Sequence, residues 1–369
     1  MKKRVLFISE SMGGGLRKHV LQLINGLDTN IFEIYLIHGT DTLDRNFLKD
    51  YSCLSEKCHM IKCPYLKREM NITNDILSIK FIKDKIKEIN PDIVHCHSSK
   101  AGAVGRVAAK FKGIRKIYYT PHAYSFLAPE FNNKKKYMFV FIEKILSRFA
   151  TTKTFCVSES EFISAINRGI DKENKFTVIK NGISSNIINE KNDLKRFLGI
   201  DNSSILIGNN ARLSEQKNPM LFMEIAQKLI RRNSKFHFLW VGNGPLFDQV
   251  QEFINKNKLS SNIHLLGERD DAEYLVYNFD IFLITSLYEG LPYSLIESLR
   301  AGVPIVGFKC EGVTDIIKEG INGFYFDEYL NLNVFDKAQK LDKNEIYLDF
   351  KNNYTLEKMI KNISSEYLK

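Results

Sequence analysis

The sequence has little with which to cross a membrane. Its longest apolar runs, such as Ile281–Thr285, fall far short of the roughly 20 residues that span a bilayer. The basic opening, MKKRVLFISE, starts like an export signal, but its apolar stretch stops after five residues and Glu10 and a glycine cluster follow. A first strand is expected there instead. Cysteine is scarce: six in 369 residues make no disulfide framework, and a reduced, cytoplasmic setting is expected. The chain shows neither a short-period repeat nor a low-complexity linker. What remains is 44% hydrophobic and 26% charged, which excludes collagen-like, disordered and mucin-like chains. That length predicts about two domains.

Acidic residues are outnumbered, 43 against 53 Lys+Arg, for a formal net charge of +10. The imbalance is local. Residues 1–186 carry 31 cationic and 18 acidic side chains, a net +13, whereas residues 187–369 carry 22 and 25, a net −3. A basic half implies an anionic partner: nucleic acid, an anionic membrane surface or a phosphorylated substrate.

Short β-rich runs alternate with helical patterns throughout. Arg4–Ser9, Phe32–His38, Ile93–His97, Lys116–Thr120 and Phe155–Ser158 read as buried strands, separated by Lys18–Leu27, Ile76–Ile89 and Tyr137–Phe149. The pattern restarts with Ile205–Asn209, Lys235–Gly242, Ile263–Gly267, Ile281–Thr285 and Pro304–Gly307. Pro219–Arg231, Phe247–Asn257 and Ser294–Ala301 lie among them. Such a series predicts α/β architecture with two Rossmann-like, doubly wound parallel-sheet domains facing a central cleft, joined near Asn181-Gly182.

Gly13-Gly14-Gly15 follows the first strand and precedes a helical stretch, where backbone amides can approach a phosphate or sugar. A dinucleotide fingerprint would need glycine at position 18, which is Lys18, and a plain tight turn stays open. In the stretch IFLITSLYEGLPYSLIESLRAGVPIVG, Glu289 lies in a loop before a helix and Glu297 lies inside it. A carboxylate at Glu297 can accept two hydrogen bonds from vicinal hydroxyls, as on a ribose. Its apolar neighbours Leu295, Ile296 and Leu299 argue against the alternative, a solvated helix residue.

Other signals are more ambiguous. His95 and His97 are read as facing opposite sides of their strand, so that only one reaches a site and the other is core. Ser98 and Ser99 can cap the next helix, and Lys100 adds charge where an anionic acceptor group could sit. Cys53, Cys58, His59 and Cys63 lack the close pairing of structural zinc, and no metal is expected. In Asn132–Phe149, the lysines Lys134, Lys135 and Lys136 are read as meeting anionic headgroups. The apolar face with Tyr137, Met138, Phe139 and Phe141 is read as core, with lipid contact as the alternative.

The run S-x-x-E-G-L-P-x-S-x-x-E-S-x-x-A-G-V-P-I-V around Glu289 and Glu297 resembles the family-4 glycosyltransferases of the GT-B fold. Also similar to that family are Ala211-Arg212-Leu213 with Lys217-Asn218-Pro219, Val241–Pro245, Val178–Ile183 and Glu311–Asp315. In the first half, Gly14-Gly15 with Arg17–Val20, His95–Gly102 and Thr120-Pro121-His122 match as well.

The resemblance implies a retaining hexosyl- or N-acetylhexosaminyltransferase that uses a UDP-sugar. Its acceptor would be a lipid-linked or oligosaccharide glycan in capsule, exopolysaccharide or lipopolysaccharide synthesis. The donor-binding set is then Gly14, Gly15, Arg212, Lys217, Gly242, Glu289, Gly290, Leu291, Pro292 and Glu297. Arg212 and Lys217 would clamp the diphosphate, a fork and a point charge five residues apart, unless they are simply two solvated loop cations. Glu289 would orient the donor sugar and His122 would meet it or the developing charge. His19, Ser99 and Lys100 are the acceptor-side candidates. No cofactor or divalent metal is implied.

The expected division is 1–182 for acceptor, 183–353 for nucleotide-sugar, and a helix over 354–369 crossing back to the first domain. The expected location is the inner face of the cytoplasmic membrane, held peripherally on anionic lipid. No nucleic-acid reader motif is present. Two alternatives stay open, a non-catalytic sugar-nucleotide-binding subunit and a sugar-nucleotide 2-epimerase. Ala123 stands where the family pattern often has glycine, which predicts a slightly altered acceptor loop.

Overall fold

Strand and helix alternate twice along the chain, and each series closes on its own parallel sheet. The computed structural model describes residues 1–41, 43, 45–186, 194–326 and 331–369, without the side chains at 45, 46, 52 and 53. The Cys53 side chain of the cysteine–histidine run is therefore outside the description, while Cys58 and Cys63 are buried free thiols. The chain divides into two units, Met1–Asn181 with Leu356–Lys369, and Gly182–Thr355.

In the first unit the strands are β1 (Lys3–Ser9), β2 (Phe32–His38), β3 (Cys58–Lys62), β4 (Ile93–His97), β5 (Lys116–Thr120), β6 (Lys153–Cys156) and β7 (Phe176–Val178). They pair in the order β3-β2-β1-β4-β5-β6-β7, all parallel. The helices α1 (Gly14–Gly26), α2 (Arg45–Ser55), α3 (Ile72–Ile89), α4 (Ser99–Phe111), α5 (Asn133–Ala150) and α6 (Glu159–Asn167) connect them. Val5–Ile8 are wholly buried, as a parallel strand covered on both faces must be. Leu6, Ile8, Val94 and Cys96 enter one core layer, and Val5, Phe7 and Ile93 enter the other.

The second unit carries α7 (Leu194–Phe197), β8 (Ile205–Asn210), α8 (Pro219–Arg232), β9 (Phe236–Val241), α9 (Phe247–Lys256), β10 (Ile263–Gly267) and α10 (Ala272–Leu275). After these come β11 (Ile281–Ile284), α11 (Tyr293–Arg300), β12 (Ile305–Phe308), β13 (Gly323–Phe326), α12 (Asn333–Ala338) and α13 (Lys343–Asn353). Its sheet order, β10-β9-β8-β11-β12-β13, repeats the doubly wound pattern. The order reverses between β8 and β11 here, and between β1 and β4 in the first unit. Ligands of such sheets bind beyond the strand carboxyl ends at these switch points.

The last helix, α14 (Leu356–Leu368), belongs to the first unit. Ile360 packs so closely over Gly26 of α1 that a Cβ there would come within 2.6 Å of it. Tyr367 is fully buried, its hydroxyl 2.6 Å from His95 Nδ1, and Tyr118 donates to the Glu366 carbonyl at 2.8 Å.

Two expectations fail here for identifiable reasons. Residues two apart on a strand share a face. His95 and His97 therefore point the same way, with ring centroids 4.1 Å apart, and Cys96 points to the other layer. The apolar side of α5 is likewise only half core. Phe139, Val140 and Leu146 pack inward, but Tyr137, Met138, Phe141, Ile142, Ile145 and Phe149 are exposed.

Candidate active site

In the second unit, two loops at the switch point are zipped together by their backbones. Thr285 at the end of β11 donates its hydroxyl to the carbonyls of Lys217 and Asn218 at 2.9 and 3.0 Å. Leu287 N donates to the Gln216 carbonyl at 2.8 Å, and the Gln216 amide donates to the Tyr288 carbonyl at 3.1 Å. This zipper brings Lys217 Nζ to 2.5 Å from Glu289 Oε1, an ion pair whose carboxylate is buried. Arg212 is exposed in the loop that leaves β8.

Glycine is required where this loop meets its neighbours. Gly242 has φ 132, and a Cβ there would run into the Ala211 carbonyl. Trp240 Nε1 donates to that same carbonyl at 2.8 Å, which pins the start of the Arg212 loop. Gly312, φ 79, lets the late loop lie against the backbone of Glu289 and Gly290, and Glu289 N donates to the Glu311 carbonyl at 3.0 Å. Gly290, Leu291 and Pro292 are buried and lead into α11. Glu297 is 4% exposed within that helix, so the solvated reading is excluded. Cys310, close by, has its thiol pushed up to about 12 by burial and then by the Glu289 carboxylate.

The first unit gathers histidines that lie far apart in sequence. His97 Nδ1 is 3.3 Å from His122 Nε2, and the His19 ring on α1 stands 4.5 Å from the His122 ring, centroid to centroid. His19 Nδ1 also meets Asn181 Oδ1 at 3.1 Å. Burial holds His95, His97 and His122 well below the ordinary imidazole range, and their mutual repulsion adds to it. Burial brings His19 down to about 4 against the opposing Asn181 bond. Neutral imidazoles result. One ring nitrogen from each of His19, His97 and His122 falls within 4.8 Å of the others, so these three could hold a transition-metal ion. His95 lies deeper, between Tyr367 and the Thr120 hydroxyl.

The backbone around His122 is strained. His122 and Ala123 have φ of 56° and 78°, left-handed values that β-carbons disfavour. Glu161 holds them there, accepting from Ala123 N and Val157 N at 2.8 Å each. Ala123 thus takes a backbone conformation that glycine adopts more readily.

Gly14 and Gly15 are exposed at the start of α1, with φ 56 at Gly14. Ser99 and Lys100 do not join the histidines. Ser125 donates to the Ser99 hydroxyl at 2.8 Å, and Lys100 pairs with Asp75 at 2.5 Å. Neither serine caps α4, because the Ser98 hydroxyl donates to the Glu10 carboxylate instead. Glu10 also accepts from Ala101 N at 3.3 Å, and burial raises its pKa. It thereby supports Ser98, whose φ 67 and ψ 168 are almost confined to glycine. Glu10 and Glu161 escaped the sequence reading. A polar residue directly after β1 at a switch point was the available signal for Glu10, and the Ser158-x-x-Glu161 spacing was the one for Glu161.

A family model for Glycosyltransferase Family 4 matches residues 13–186, and one for Glycosyl transferases group 1 matches residues 190–362. The Escherichia coli UDP-Gal:alpha-D-GlcNAc-diphosphoundecaprenol alpha-1,3-galactosyltransferase is 29% identical over 321 residues, covering 85% of this chain and 81% of its own. The solved structure of Anabaena HepE with UDP and glucose aligns with a TM-score of 0.79 at 17% identity, over 98% of both chains. Sucrose-phosphate synthase from Thermosynechococcus elongatus aligns at 0.80 and 15% identity, over 100% of this chain and 98% of that one. At such identities the structures speak for the fold, GT-B. The two matched halves, the doubly wound sheets and the Glu289–Glu297 run together mean that the chain belongs to the family-4 glycosyltransferases.

Proposed function

We propose that the chain transfers a sugar from a UDP-sugar to a lipid-linked glycan acceptor, with retention of anomeric configuration, in bacterial surface-polysaccharide synthesis. The observation that carries this reading is the Lys217–Glu289 pair within the zipped loops at the switch point of the second unit. A departing diphosphate needs its growing negative charge neutralised, and Arg212 and Lys217 are cations suited to that task. Because Lys217 already contacts Glu289, a bound diphosphate competes with the carboxylate for it. Glu289 is then released to hydrogen-bond the donor sugar, while Glu297 accepts from the ribose hydroxyls. Gly14, Gly15 and Gly242 let backbone approach the donor closely, and Gly290, Leu291 and Pro292 carry the loop past it.

His122 is assigned to the donor sugar or its developing positive charge, a role suited to a neutral imidazole in a strained turn. His19, its neighbour, is assigned to the acceptor side. Ser99 and Lys100 could assist only if an anionic acceptor displaces Asp75 from Lys100. The leaving diphosphate takes the proton of the attacking hydroxyl on the same face, so no enzymic nucleophile is invoked. No divalent metal is assigned to the diphosphate. A chelator should leave turnover unchanged; loss of activity would instead direct attention to His19, His97 and His122.

Support for the donor and acceptor comes from the Escherichia coli relative, whose name specifies UDP-galactose and a diphosphoundecaprenol-linked acceptor. The test of the stereochemistry is a product NMR spectrum. The transferred sugar should carry the donor's anomeric configuration, and an inverted product would refute the retaining reading.

A further inference from the structure

Among the described residues, no part of the first unit covers the outer face of α5. Tyr137, Phe141, Ile145 and Phe149 recur every four residues, with side-chain-bearing residues exposed by 75, 63, 42 and 64%, and Met138 and Ile142 widen the stripe. Over twelve residues the stripe runs about 18 Å. A helix whose inner face already packs Phe139 and Val140 against the core and buries Leu146 has no structural need for a second apolar face.

The charges that α5 itself carries on its outer side are of one sign. Lys134, Lys135 and Arg148 are exposed, and Lys136 and Lys144 are partly so. The helix has one acidic residue, Glu143, and it points inward to Arg106 at 2.8 Å. Any second copy docking through this face would bring the same cations against themselves. An apolar stripe flanked on its own helix by cations fits an anionic lipid surface, where stems and rings enter the acyl boundary and charges stay among headgroups. Among the described residues no helix is long and apolar enough to cross a membrane. This contact is therefore with the surface of one leaflet.

We infer that the outer face of α5 is a membrane wedge, in which Tyr137, Phe141, Ile145 and Phe149 insert into an anionic leaflet while Lys134, Lys135, Lys144 and Arg148 hold its phosphates. The inference deepens the proposed function, since it rests on a lipid-linked acceptor for its purpose. Its physical content stands apart from catalysis. Pure electrostatic adsorption would vanish as salt screens it; an inserted wedge retains binding at high salt.

The test is sedimentation with vesicles of phosphatidylglycerol and phosphatidylethanolamine, against vesicles of phosphatidylcholine, with no donor or acceptor present. The full chain should bind the anionic vesicles, more weakly but measurably in high salt. Phe141→Ser with Ile145→Ser should lose about tenfold or more in affinity at both salt levels. Lys134→Glu with Arg148→Glu should lose chiefly the salt-sensitive part. Unchanged melting temperatures establish that each variant folds; Tyr137→Ser with Phe149→Ser repeats the test at the ends of the stripe. The inference is overturned if the wild type ignores anionic vesicles, or if the serine variants bind as it does. It is equally overturned if the wild type is a dimer that the serine variants convert to monomer. Nucleotide release to a soluble acceptor, measured without vesicles, tests the transferase reading independently.

Discussion

Lys217 pairs with the Glu289 carboxylate, and under the proposed function the phosphates of the donor compete for it. Removing either cation of the proposed clamp should cost what loss of a preorganised charge costs elsewhere, roughly a hundred- to a thousandfold in kcat. Arg212→Ala should show that loss with an unchanged melting temperature, since Arg212 is exposed; Lys217→Ala should show it together with a lower melting temperature, since it removes the ion-pair partner of the buried Glu289 carboxylate. Glu289→Gln separates the two claims on the lysine. Turnover should fall while UDP binds as tightly or tighter, because Lys217 no longer holds an opposing carboxylate. Weaker UDP binding in that variant would contradict the competition.

The histidines make the second residue-scale prediction. Their folded pKa values lie below that of a free imidazole near 6.5, so the unfolded chain binds more protons in the interval beneath it. Stability is complete above about pH 6.5 and falls as pH drops towards 4. For His19, brought down to about 4, the loss across that interval approaches about 3 kcal/mol. Melting temperature should therefore drop between pH 7 and pH 5, and less steeply in His19→Gln.

Among the elements, α4 and α5 are held by a buried ion pair. Arg106 is fully buried, donates to the Gly102 carbonyl at 2.7 Å and to Glu143 at 2.8 Å, and lies 3.8 Å over the Tyr119 ring. Glu143→Ala would strand that guanidinium and should destabilise the protein by about 3–5 kcal/mol, read by chemical denaturation. Elements differ in how far sequence reveals them. Strand β4 and the Glu289–Glu297 run were legible because their signals are local, an apolar run and a motif within a few turns. Helix α4 was expected after Ser98 and Ser99 but without bounds, because glycines interrupt its pattern; they are there because Gly105 abuts Cys96 and Gly102 abuts Tyr119. Strand β7 is only three residues long, and β3 mixes Cys58, His59 and Lys62 into its pattern. The histidine group was illegible, since His19, His97 and His122 meet only through the β1–β4–β5 arrangement. The shared face of His95 and His97 was available from strand period alone.

For the whole chain, α14 ties its end to the first unit through Met359, Ile363 and Tyr367 in that unit's core. A chain truncated after Thr355 should melt in two steps, with the first unit unfolding well below the second; a single transition at the full-length temperature would contradict this role. The surplus charge also takes on a position at this scale. The basic half carries +13, whereas Arg212 and Lys217, the proposed clamp, belong to a half with a net −3. The surplus is therefore better matched to an anionic acceptor surface than to the nucleotide.

The measurement that tests the central claim most directly is nucleotide release from a panel of UDP- and GDP-sugars, with extracted lipid-linked acceptors, for wild type and Arg212→Ala side by side. The account predicts acceptor-dependent release of UDP by the wild type and its loss in the variant. Release from no donor by a folded, UDP-binding protein, or equal release by the variant, would contradict it.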